Sequence, residues 1–506
     1  MHSILSKLNT TKIIIISFCF LIAGILLGFI LMPMGLRKLI KSQINLSPKS
    51  DVRVMYTKVP FPLEFKIYLF NLTNREHVRR GAKPHLQQIG PFYFEEWKEK
   101  FDLLDDDTED TLSYHYKNTF IFRPDLSGPG LTGNEIITMP HPLISGLLLS
   151  INIDKKPMLP LISKAVNIVF NDPIDIFWQG RVMDILFDGI PVDCSSNAFE
   201  AAAVCSVFST GEVSAVLPLN ETHYKFSLFG STNATDLGEF KVMRGVKNYN
   251  EIGKVVAFNG ETEMDVWPED ECNQYVGTDS TIFSSLMDVN DGIWAYEPAI
   301  CRSLGAHYVG KSKYMGVPTA QFDLDIGSEQ NTKECFCRDF PDDCPKKGTF
   351  DLFPCVGAPM FGSLPHFFNA DPSLLDNIEG LSPNKEEHAI FMHFETLSGT
   401  PMSAAKRLQF NLEVVPIEEV PIMQEMREML YPMFWVEEGA NLNKTYVNMI
   451  KNTLILAVRI KNGFKWMCII GGICGLIFAG VLFYMKENAV VEVSSGKKPA
   501  LNRIKA

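Results

Sequence analysis

The chain has 506 residues, 46% of them hydrophobic, which allows a large buried core and excludes a compositionally disordered protein. A net charge of −12, with no basic cluster to offset it, argues against a nucleic-acid partner, because phosphates would be repelled.

Residues 1–12 form a short polar lead. Ile13 to Met32 then runs without a charge, and about 20 such residues cross ~30 Å of hydrocarbon. This run is longer than a signal-peptide core and no A-x-A-like site follows it, so an uncleaved anchor is expected. A second span is expected over 466–485, closed by Lys486. Two spans put both termini on one side. Basic residues do not choose the side, since Lys7 and Lys12 precede the first span while Arg37, Lys38 and Lys41 follow it.

The cysteines do choose. Six of the eleven lie between Cys272 and Cys355 in a Pro/Asp-rich stretch with no metal-site spacing, and they read as three disulfides of an oxidising compartment. Sequons at Asn45, Asn71, Asn220, Asn233 and Asn443 fall in the same inter-span segment, with Asn45 weakened by Pro48. Residues 33–465 are therefore expected outside, and 1–12 and 486–506 in the cytoplasm, where the sequon at Asn9 would stay bare.

Alternation marks half-buried strands at Leu112, Tyr114 and Tyr116, at Tyr224, Phe226 and Leu228, and at Leu408, Phe410, Leu412 and Val414. Their spread suggests one large antiparallel sheet or barrel. The acidic run Asp102 to Asp110 reads as a solvated loop, and the Gly/Pro-punctuated stretch 123–135 as another loop. Pro157 to Gly189 reads as two consecutive amphipathic helices, broken at Asn171-Asp172-Pro173, with Asp172 as cap and Pro173 in the first helical position. They either pack on the body or form a mobile cap over a ligand entrance; periodicity does not decide. Pro421 to Trp435 reads as a helix whose Met423, Met426, Leu430 and Met433 stripe is core or an adaptable lipid surface. Small residues at Gly24 and Gly28, and at Gly471, Gly475 and Ala479, favour pairing of the spans or self-association.

No catalytic motif appears: no G-x-S-x-G, H-E-x-x-H, phosphate loop or G-x-G-x-x-G. His85, His141, His366 and His393 read as ordinary core or surface residues. No enzyme activity, cofactor or metal is expected. A two-span ion channel matches in outline, but the spans offer a pore only Ser17, Cys19, Cys468, Cys474, Tyr484 and glycines.

Two terminal spans, a glycosylated loop and the C…C…CxC…C…C order resemble the CD36 and scavenger receptor class B family. Local runs are closer still to an insect branch of it, the sensory neuron membrane proteins: Phe61 to Asn74, Ile89 to Lys100, Arg123 to Gly133, Ser398 to Leu412 and Phe434 to Thr445. The second and third of these look most like the first subtype, found in pheromone-sensing neurons. The resemblance covers nearly the whole chain.

It implies an α+β ectodomain: an antiparallel β-barrel core with an apical helical bundle, an internal hydrophobic tunnel and two terminal transmembrane helices. It also implies the pairs Cys272–Cys335, Cys301–Cys355 and Cys337–Cys344. Cys194 and Cys205 are extra to that set and are expected to form a fourth bridge, while Cys19, Cys468 and Cys474 are expected to be free. The stretch 275–286 departs from the family's usual turn at Val276, Ser280 and Ser284, which leaves the local turn open. At the apex, Asp172 and Asp175 with only Arg181 basic suggest an acidic-apolar entrance built on Ile174, Phe177, Trp178 and Arg181.

The implied function is a lipid co-receptor of olfactory neuron cilia. It would take hydrophobic odorants or other neutral long-chain lipids, handed over by odorant-binding proteins, and deliver them to an odorant receptor complex in the membrane. The alternative is a general scavenger receptor for lipid uptake in non-neuronal cells.

Overall fold

The computed structural model describes residues 9–211, 213–324, 326, 334–337 and 344–494; the outer parts of both tails lie outside these. The chain divides into a helical unit made from its two ends and a second unit spanning Gln43–Leu442.

The helical unit holds two helices long and apolar enough to cross a membrane, Thr10–Gln43 and Lys444–Asn488. They pair side by side through small residues. A Cβ added at Gly24 would stand 2.9 Å from Ile469, and one at Gly475 only 2.1 Å from Ser17 Oγ. The seam departs from the expected one at a single position. Gly471 faces open space, whereas Gly472 meets Leu21 and the Ser17 carbonyl. Buried Cys468, Ala479 and Leu482 extend the line through 472 and 475. That is alternating four- and three-residue spacing, which keeps one stripe facing its partner where a uniform four-residue repeat drifts off it.

In the second unit, β1 (Leu63–Leu72), β2 (Leu86–Asp106) and β3 (Thr111–Phe122) open a large antiparallel sheet. A two-stranded ribbon follows, β4 (Ile136–Pro140) with β5 (Phe177–Arg181), and then a small sheet of β6 (Ile190–Asp193), β7 (Val216–Pro218) and β8 (His223–Phe226). The chain rejoins the large sheet with β9 (Glu239–Met243), β10 (Val255–Phe258), β11 (Ile293–Glu297), β12 (Arg302–Tyr314) and β13 (Val317–Leu324). It ends with β14 (Thr349–Asp351), β15 (Met360–Ser363), β16 (Ile390–Glu395), β17 (Thr400–Val414) and β18 (Met429–Asn441). Across the sheet the order is β10-β9-β3-β2-β1-β18-β17-β16-β13-β12-β11, with β14–β15 laid on the far half of β17.

The two edges of this sheet meet through the stretch whose turn the sequence left open. Val255 N–H donates to the Gly277 carbonyl (3.0 Å), and Thr278 exchanges bonds with Trp294 (3.0 Å) and Tyr296 (2.8 Å). Tyr296 of β11 then packs on Phe240 of β9 and Phe258 of β10. The result is a nearly closed antiparallel barrel. Gly277 has φ +89°, and a Cβ there would lie 2.0 Å from the Trp294 carbonyl oxygen, so only glycine suits this joint.

Helices Pro142–Asp154, Leu159–Val169 and Phe199–Thr210 cover one mouth of the barrel. Here two expectations fail. The second half of the 157–189 insert is not a helix: Phe177–Arg181 is β5, paired with β4, followed by one wide turn over Asp184–Asp188. Its burial (Phe177 buried, Trp178 half-buried, Gln179 and Arg181 exposed) fits a short strand as well as a helix face, and a neighbouring strand decides such short apolar runs. Nor is 421–435 a helix. It is turns running into β18, although Met423, Met426 and Met433 are buried as core.

The acidic run also departs from a free solvated loop. It is the end of β2 and a tight turn, in which Asp105 pairs with Arg53 (2.7 Å) and Arg244 (3.0 Å), while Asp110 is buried against Arg244.

Candidate ligand site

On β17 and β18, unlike β1 and β2, burial runs opposite to the usual order. Along β17, the lumen-facing row Ala404, Lys406, Leu408 and Phe410 stays partly accessible, while the outward row Ala405, Arg407, Gln409 and Asn411 is buried. On β18, Val436 and Glu438 are likewise the accessible residues and Trp435 and Glu437 the buried ones. The outward row is sealed by a second layer of chain. Arg407 bonds Glu437 (2.7 Å) and the Ala389 carbonyl, Gln409 accepts from His366 N–H, and Asn411 donates to the Phe361 carbonyl. Trp435 stacks on Tyr68 at 3.7 Å and donates to Gln88. Lys406 keeps 37% of its side-chain surface accessible although protein atoms surround it deep in the fold. A wall dry outside and accessible inside encloses a hollow.

Two kinds of side chain stand on the inward face around that hollow, several of the rings themselves buried. One stretch is aromatic. Phe65 meets Phe120 and Phe229, Phe94 meets Phe122 and Phe187, and Phe434 joins Phe229 to Phe410, with ring centroids 4.7–5.9 Å apart. These rings come from β1, β2, β3, β17 and β18 and from two loops beside the covering helices, and they make a water-poor surface suited to alkyl chains.

The register then moves the same face from apolar to charged. Phe94 gives way to Glu96 and Lys98 on β2, and Val436 to Glu438 on β18. Lys98 bonds Glu438 (2.5 Å) and lies 3.5 Å from Glu96, while Lys406 bonds Glu438 (2.8 Å) and reaches Glu297 of β11 at 3.6 Å. Since β11 lies four strands from β17 in the sheet, the last contact crosses the lumen. Burial opposes charge on Glu438, yet Lys406 and Lys98 hold its carboxyl well below the usual range; burial would lower Lys98, yet Glu438 and Glu96 hold it above. Glu96 differs: burial pushes it up to about 7.

Beyond the belt the lumen is filled. Asp279 accepts from Lys100 (2.7 Å), Tyr56 (2.7 Å), Tyr114 (2.6 Å) and Thr281 (2.8 Å), all within an apolar cluster that includes Leu46 and Trp267. On the outside, a depression of ≈ 310 Å³ over Met243, Glu251, Lys254, Gln274 and Tyr275 is polar-lined and separate from the lumen.

The residues singled out from sequence fall elsewhere. Cys272 is bridged to Cys335, Cys301 to Cys355, Cys337 to Cys344 and Cys194 to Cys205, with Cα separations of 5.4, 5.7, 4.4 and 5.9 Å. Cys19, Cys468 and Cys474 are free. The first two bridges pin the closing edge of the barrel and the last ties the Phe199–Thr210 helix to β6. Asn220 and Asn443 are exposed, whereas Asn45, Asn71 and Asn233 are half-buried, the latter two accepting from Thr138 and Phe120 N–H.

Of the entrance set, Ile174 is 62% exposed, Trp178 lies over Gly180, and Arg181 pairs with Asp184. Phe177 is buried, its ring near Tyr431. Asp175 is also buried and bound by Arg75 in two bonds of 2.8 Å, so its charge does not make the entrance acidic. The lumen belt was missed because Glu96, Lys98, Lys406 and Glu438 read in sequence as the polar face of strands. The one hint in the sequence is that GPFYFEEWKEK and FWVEEGA each carry Glu or Lys on both faces of a strand, which does not say which face points inward.

The fold defines a two-span membrane protein with a hollow β-barrel between its spans. The chain belongs to the CD36 family, whose sequence model matches residues 15–483. It is similar along most of its length to proteins named sensory neuron membrane protein 1: 49% identical to that of Anopheles gambiae (97% of this chain, 90% of the relative). To that of Aedes aegypti it is 52% identical (89% and 83%), and to that of Bombyx mori 41% (92% and 89%).

Proposed function

We propose that this protein is a surface receptor that takes a hydrophobic odorant, or another neutral long-chain lipid, into its barrel and passes it to an odorant receptor complex in the same membrane. The observation that carries the reading is the accessible lumen row of β17 and β18, set against a sealed outer row and continuous with the phenylalanine cluster. A cavity of fixed wall and aromatic lining binds alkyl chains without being reshaped. The four bridges and the exposed sequon at Asn220 favour an oxidising exterior for the barrel, hence cytoplasmic termini. The relatives' names favour sensory neurons, and so the ciliary membrane, over support cells. In this reading Ile174 and Trp178 stand at the covered mouth, with odorant-binding proteins as donors.

The test is occlusion. Ala404→Trp places an indole in the lumen and leaves the outer layer untouched. A photoreactive long-chain ester should label the wild-type protein at the surface of cells, and labelling should fall about tenfold in the variant at equal surface expression. Co-expressed odorant receptors should lose sensitivity in parallel. Undiminished labelling would place the ligand elsewhere.

A further inference from the structure

Glu96 is 2% exposed, and its Oε2 has no hydrogen-bond partner among the described residues. Its other oxygen has only Lys98, at 3.5 Å. A buried carboxyl oxygen left unpaired forfeits its hydration with nothing in return, so such atoms in native folds call for a specific explanation. Alternation along β2 places this side chain on the lumen face, directly opposite Phe120 of β3 and next to Phe94. It therefore stands where the aromatic part of the hollow ends and the charged belt begins.

Resting on the lumen reading above, we infer that the Glu96 carboxyl is the head-group anchor of the cavity, taking an uncharged oxygen group (alcohol, aldehyde or ester) of a single-chain ligand whose tail lies among the phenylalanines. The belt explains why the head should be uncharged. It contains three carboxylates, Glu96, Glu438 and Glu297, against two ammonium groups, Lys98 and Lys406. Both oxygens of Glu438 are taken by the lysines and Glu297 faces Lys406, so neither ammonium group is left without a counter-charge. A ligand carboxylate would add a negative charge with no free ammonium group to meet it, in a place where burial already pushes Glu96 toward its protonated form. A hydroxyl can donate to the free oxygen, and a carbonyl can accept from it when it carries a proton. Tyr116 of β3, opposite Lys100 farther along β2, is kept neutral by burial and the nearby Glu297.

Full-length protein in phosphatidylcholine nanodiscs, loaded with N-phenyl-1-naphthylamine, tests this by displacement with dodecane, dodecan-1-ol and dodecanoate. One hydrogen bond to a buried carboxyl should make the alcohol about tenfold more effective than the alkane, and more effective than the carboxylate. Glu96→Leu should erase the alcohol's advantage while keeping dodecane binding, and Glu96→Gln should retain most of it. Equal displacement by alcohol and alkane in the wild type, which needs no variant, would overturn the inference and leave the lumen reading intact. So would an advantage that survives Glu96→Leu, or preference for dodecanoate. Failure of every competitor to displace the probe would overturn both.

Discussion

The network around Asp279 offers the sharpest test of how the barrel is plugged. Its carboxylate sits in an apolar cluster and receives four donors between 2.6 and 2.8 Å. Burial opposes the charge, but Lys100 and the two tyrosines hold its pKa below the ordinary value; burial pulls Lys100 down to about 8, which still leaves it charged at pH 7. Removing one member strands the other. Lys100→Met leaves an uncompensated carboxylate and Asp279→Leu an uncompensated ammonium, each a loss of about 3–5 kcal/mol. Removing both replaces the pair by apolar volume and should cost far less, so the double variant should be more stable than either single one. For the full-length protein in detergent, each single change should lower the thermal midpoint by roughly 5–10 °C. The sign of the pH effect follows from the depressed Asp279 pKa. Its contribution is present above the unfolded-state value of about 3.9 and is lost as pH falls through the lower folded value. Additive single losses, with the double variant least stable of all, would refute the reasoning.

Three further outcomes are expected. Glu96, raised to about 7 by burial, binds a proton more tightly folded than unfolded, so stability should fall as pH rises from about 4.3 to 7; Glu96→Gln should flatten that slope in thermal scans across the range. Arg75→Ala leaves the buried Asp175 with the Phe177 N–H and, as counter-charge, only Arg79 at 3.5 Å. It should cost about 3 kcal/mol, measured by thermal unfolding, with early proteolysis of the β4–β5 ribbon. Gly277→Ala drives a Cβ into the Trp294 carbonyl at the barrel joint and should abolish surface expression, whereas alanine at Gly310, which has no positive φ and whose Cβ would meet nothing, should be tolerated.

Much of the fold was legible because strand alternation survives where one face is uniformly buried. Leu112, Tyr114, Leu412 and Val414 are fully buried strand residues as read, and the two apolar runs are the two long helices. The helix assigned to 173–189 failed because Phe177 and Trp178 belong to five residues, too few for periodicity to distinguish a strand whose partner lies forty residues upstream in β4. Of the residues expected around the entrance, Phe177 and Asp175 are buried instead, since pairing turns the first toward Tyr431 and Arg75 binds the second. The belt was illegible for a different reason. Lys98, Lys406, Glu438 and Glu297 come from four strands far apart in the chain, and nothing in a single sequence says that their polar face points inward.

The double layer over β17 and β18 bears on how such a cavity would be emptied. Outward Arg407, Gln409 and Asn411 are each bonded to the chain that crosses them, so this wall cannot part laterally without breaking several buried polar bonds together. Traffic would have to run along the barrel axis, through the helix-covered mouth or past the Asp279 plug. Residence time would then be set by fluctuations at those two ends, and a substitution in the wall could change how tightly a guest is held while leaving its escape rate governed elsewhere.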